Sequence, residues 1–79
     1  MWCCVSKMPN DQGLFLAAFD RSFSVGRQMF FGSRGGFTIQ EEIRVSEVYE
    51  LDPLFYNAAA QNAPAGDVIY WRLVKPVEE

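Results

Sequence analysis

The sequence predicts a small α+β domain, an antiparallel sheet of about four to five strands with one short helix at about residues 53–62. Three observations lead there. Apolar and polar residues alternate through much of the chain, as half-buried strands require. Clusters of Gly, Pro, Asn and Asp punctuate these runs. One segment, Asp52-Pro53 followed by LFYNAAAQN, has a helix-capping start and an alanine-rich body. With 79 residues the chain is expected to form a single domain, 1–79, without a linker. A domain of this size hides only roughly 60% of the surface its unfolded chain exposes. A content of 49% hydrophobic and 15% aromatic residues nevertheless supplies a core.

Taken in order, WCCVSKM and LFLAAFD flank the turn-forming PNDQG, which predicts a hairpin with strands at about 2–8 and 14–20. A helix starting at Asp11 is the rival, because Leu14, Phe15, Ala18, Phe19 and Phe23 also fall near helical spacing. In SFSVGRQMFF the residues Phe23, Val25, Met29 and Phe31 share one parity, which predicts a strand with Gly26 as a candidate bulge. The loop Gly32–Gly36 then turns the chain. In FTIQEEIRVSEVYEL, Phe37, Ile39, Ile43, Val45, Tyr49 and Leu51 stand at odd positions. That period predicts one long strand, or two split near Ser46, over the helix that a Thr38 to Glu41 capping box would start. Asn62, Pro64 and Gly66 stop the helix at about 53–62, and DVIYWRLVKP reads as the final strand.

Composition excludes much chemistry. Histidine is absent, which removes the commonest general base and metal ligand near neutral pH. The two cysteines, Cys3 and Cys4, are adjacent. They lie too close for ordinary disulfide geometry and have no further soft ligands for zinc, so free thiols and no metal or cofactor are expected. No serine, cysteine or lysine has an obvious activating base. Glu41 and Glu42 are consecutive, so on a strand they point to opposite faces rather than forming a catalytic pair. An enzyme is not expected. The N-terminus lacks a basic opening and a long apolar run, and no segment reaches the ~18 apolar residues of a membrane span. A cytoplasmic protein with no membrane partner is therefore expected.

The formal charge is −3, and the acidic residues crowd one region. Glu41, Glu42, Glu47, Glu50 and Asp52 surround Val48 and Tyr49, and Phe55 and Tyr56 follow at once. Carboxylates around exposed aromatics have the composition of a protein-binding face that meets a basic partner. The leading expectation is thus a non-catalytic protein-binding domain, an inhibitor or modulator of the kind phage-encoded host-takeover or anti-defence proteins represent. A second class is a small single-stranded nucleic-acid binder, with Arg21, Arg27 and Arg34 on phosphates and Phe30 or Phe31 stacking bases. The net charge opposes it, and Arg34-Gly35-Gly36-Phe37 departs from the RNA-recognition signature by placing Gly36 where an aromatic is required. A third class is a structural subunit, for instance a homodimer joined through residues 68–75 as an exposed edge strand.

Overall fold

The computed structural model describes residues 2–30 and 35–77. In chain order the elements are β1 (Cys3–Val5), β2 (Phe15–Phe19), β3 (Gln28–Phe30), β4 (Gly36–Glu42), α1 (Val45–Leu51), α2 (Pro53–Asn62) and β5 (Tyr70–Pro76). The five strands form one antiparallel, curled sheet in the order β1-β2-β5-β4-β3. It is an α+β domain. Each half is a local hairpin, β1 with β2 and β3 with β4, and the last strand inserts between them.

The first hairpin is built as its turn chemistry requires. The Asn10 side chain accepts from the backbone N–H groups of Gln12 and Leu14, and Gly13 adopts φ +78°, a conformation open to glycine at little cost. Leu14 to Phe19 is therefore not helical: Cys3 pairs with Phe19 and Val5 with Ala17. The second hairpin pairs Met29 with Phe37 and Phe30 with Gly36. The segment before it is not the strand its parity predicts. Residues 21–27 form a loop that turns at Gly26, φ +94°, and only Gln28–Phe30 enter the sheet. Phe31, Arg34 and most of the predicted hairpin loop lie outside the described residues.

Both faces of the sheet are covered. On the helix-bearing face Leu16, Ala18 and Trp71 pack with Val48, Phe55 and Ala59. On the opposite face Ala17, Phe19, Phe37, Ile39 and Val74 pack with Met29 and with Phe23 from the 21–27 loop. This is why β2 is almost wholly apolar instead of alternating. The central place of β5 corrects the expectation of an edge at 68–75: its two sides are paired to β2 and β4, and the edges are β1 and β3. No helix among the described residues is long and apolar enough to cross a membrane.

The largest departure from the sequence expectation is α1, where a strand is predicted. It is preceded by an irregularity at Gln40. The β4–β5 register shifts there, from Ile39 opposite Val74 to Glu41 opposite Leu73. One extra residue reverses the side-chain parity of everything after it. Ile39 accordingly belongs to the helix-free face and Ile43 to the helix-bearing one, although both are odd-numbered.

Candidate functional site at the helix elbow

Asp52 makes the elbow between the helices. Its N–H donates to the Val48 carbonyl to close α1, while its carboxylate accepts from the Phe55 N–H, 3.0 Å away, to open α2. Pro53 follows at the first helical position, where its missing N–H costs nothing. The expected helix at 53–62 is therefore present with the capping its sequence predicts. Seven residues are too few for α1 to be stable alone. It holds because Val48 is fully buried against the sheet.

Aromatic rings carry the packing from α1 to the sheet. Tyr49 meets Tyr56 nearly at right angles with centroids 5.4 Å apart. Tyr56 stacks on Trp71 at 5.5 Å, and Phe55 meets Trp71 edge-on at 6.0 Å. These are the favoured offset and T-shaped geometries, each contributing about 0.5–1.5 kcal/mol beyond area burial. Two open depressions adjoin along this line and share Val45 and Tyr56 as walls. One, of about 500 Å³, is also lined by Ile43, Asp67, Ile69, Tyr70, Trp71 and Arg72. The other, of about 440 Å³, is completed by Ser46, Tyr49 and Glu50.

The predicted face is thus partly assembled and partly dispersed. Tyr49, 55% exposed, lines the groove with Glu50 and the half-buried Tyr56. Val48 and Phe55 are core residues and unavailable to a partner, because the helical spacing of α1 and α2 turns them onto the sheet. Asp52 is committed to capping. Glu47 is exposed in the first turn of α1. Glu41 and Glu42 stand on β4, and Glu42 lies 3.7 Å from the Arg72 guanidinium. Sequence reasoning missed Val45, Asp67, Ile69 and Trp71 as groove residues. Val45 and Tyr49, four apart, carried the one local signal, which a helical reading of 45–51 would have used.

The alternative residues are not gathered. Arg27 lies over the Phe23 ring at 4.9 Å, Arg21 is exposed on the loop, and Phe30 projects from the edge strand β3. Arg34 lies outside the described residues. Among the described residues no three Cys, Asp or Glu side chains gather in a way that could hold a metal ion. Cys3 and Cys4 are half-buried on β1 and are not joined in a disulfide, and burial pushes the Cys3 thiol above its ordinary value of 9.0.

Fold and site together define a small α+β domain with an open aromatic groove where the helix elbow meets the sheet. The chain matches no known family, no curated protein and no solved structure.

Proposed function

We propose that this chain is a non-catalytic protein-binding domain, an inhibitor or modulator that docks its aromatic groove and acidic surroundings on a basic surface of a partner protein. The observation that carries this reading is the Tyr49–Tyr56–Trp71 series, which ends at an exposed tyrosine beside Glu50. Tyrosine supplies large contact area at low entropic cost, and carboxylates nearby steer a cationic partner. A chain without histidine lacks the usual means of acid–base catalysis. Two cysteines outside any disulfide suit a reducing, cytoplasmic setting. A phage origin of the host-takeover type remains part of the same proposal.

The test is to capture the partner from a lysate of the source cells and then measure its binding kinetics with purified protein. Tyr49→Ala should speed dissociation by about thirtyfold, as loss of a hot-spot anchor does. A double reversal, Glu47→Lys with Glu50→Lys, should mainly slow association. Unchanged kinetics in both variants would rule out this face. Glu42 is left out of the set because reversing it would place a cation against Arg72.

A further inference from the structure

We infer that the groove seats an arginine side chain of the partner, its guanidinium against the Tyr49–Tyr56 corner and paired with Glu50. The inference rests on the docking reading and specifies its occupant. Two nearly perpendicular rings, 82° apart, form the walls, and Tyr56 is backed by the stacked Trp71. Glu50 borders the same depression, and Asp67 borders the adjoining one. Neither carboxylate has a cation within salt-bridge distance among the described residues, where Arg72 with Glu42 is the ion pair present.

Arg72 also borders the adjoining depression, although its side chain turns to the helix-free face. Its N–H groups are committed to the Phe23 and Trp71 carbonyls and to the Ser22 hydroxyl, with Glu42 beside it. No ion pair joins it to Asp67 or Glu50 among the described residues. The two carboxylates beside aromatic walls suit a flat cation. A guanidinium fits better than an ammonium, because one plane can lie on a tyrosine face while its edge donates two parallel hydrogen bonds to a carboxylate. A depression of about 440 Å³ open to solvent suits one protruding side chain.

The probe is a fluorescein-labelled octapeptide of alternating arginine and glycine, compared with its lysine and glutamate counterparts by polarisation at fixed salt. The arginine peptide should bind about fivefold or more tighter than the lysine one, and the glutamate peptide not at all. Glu50→Gln should weaken arginine binding about tenfold, while Asp11→Asn, the same charge change on the exposed first hairpin loop, should alter it less than about twofold. In the wild-type protein, amide and indole shifts on titration should concentrate at Val45, Tyr49, Tyr56 and Trp71, a readout independent of any variant's folding. Equal losses in Glu50→Gln and Asp11→Asn, or equal affinity for arginine and lysine, would reduce the effect to diffuse charge attraction and overturn the inference. If Tyr49→Ala still releases the captured partner while the peptide shows no arginine preference, docking stands and the arginine seat falls. Indifference of the groove variants in both assays removes both.

Discussion

Arg72 lies in mid-β5 on the helix-free face, 6% exposed, opposite Ala17 on β2, whose methyl group leaves room for it. A guanidinium taken that far from water is costly unless its donors are met. Here Nε donates to the Phe23 carbonyl at 3.1 Å, Nη1 to the Trp71 carbonyl at 2.8 Å and Nη2 to the Ser22 hydroxyl at 3.2 Å. The Glu42 carboxylate is 3.7 Å away and its side chain 71% exposed, so solvent screens most of that attraction. The hydrogen bonds, not the ion pair, should hold the 21–27 loop to the sheet. Arg72→Ala is expected to cost about 3 kcal/mol, and Glu42→Gln less than about 1 kcal/mol, in urea unfolding. Equal costs would shift the credit to the ion pair. Cys3 makes a second residue-scale prediction. Its thiol is held above 9.0 by burial first, then by Cys4 and Asp20. It should therefore react with alkylating reagents more slowly than an unfolded control at neutral pH. Because the unfolded thiol loses its proton first, the associated stability is full below about pH 9 and falls as pH rises through the folded value. A stability that rose over that interval would contradict the shift.

At the scale of elements, the competing descriptions of residues 45–51 make opposite demands. A strand continuing the odd parity would bury Tyr49 and Leu51 and expose Val48. The helix does the reverse: Val48 is 0% exposed and Leu51 65%. Val48→Ala should cost about 2 kcal/mol and Leu51→Ser within about 0.5 kcal/mol by thermal or urea unfolding. A larger loss at Leu51 would favour the strand. The sequence misled here for two physical reasons. A helix of two turns offers too few apolar positions for a 3.6-residue period to stand out from a two-residue one. The register shift at Gln40 also reverses the faces within an unbroken alternating pattern, and no residue at 39–41 announces it. By contrast Asp52-Pro53 states its function locally, since an N-cap needs only a carboxylate within reach of the next turn.

At the scale of the whole molecule, two sequence-local hairpins are closed by a strand that arrives last, and the helices cross one face on the way to it. The groove exists because that path brings Trp71 and Asp67 beside a helix elbow some fifteen to twenty residues earlier in the chain. The surface it opens on belongs to a molecule of net charge −3 and overall dimensions 36 × 27 × 22 Å. Long-range attraction to a basic partner should therefore be felt across the whole body. Association with the captured partner is expected to slow steeply as salt rises from about 0.05 to 0.5 M, while dissociation changes little. Salt-independent association would show that apolar contact alone brings the two together.

Composition and local pattern by themselves determined the α+β class, the first hairpin, the capped helix at 53–62 and the final strand, because each depends on turn chemistry, capping or periodicity within a few residues. Tertiary structure alone decided that β5 is central, that Arg72 is buried, that Val48 faces inward and that Tyr49, Tyr56 and Trp71 line one groove. Those outcomes depend on strand order and on a one-residue register shift, which are set by the competition of distant surfaces for the same core and leave no mark at the residues they move.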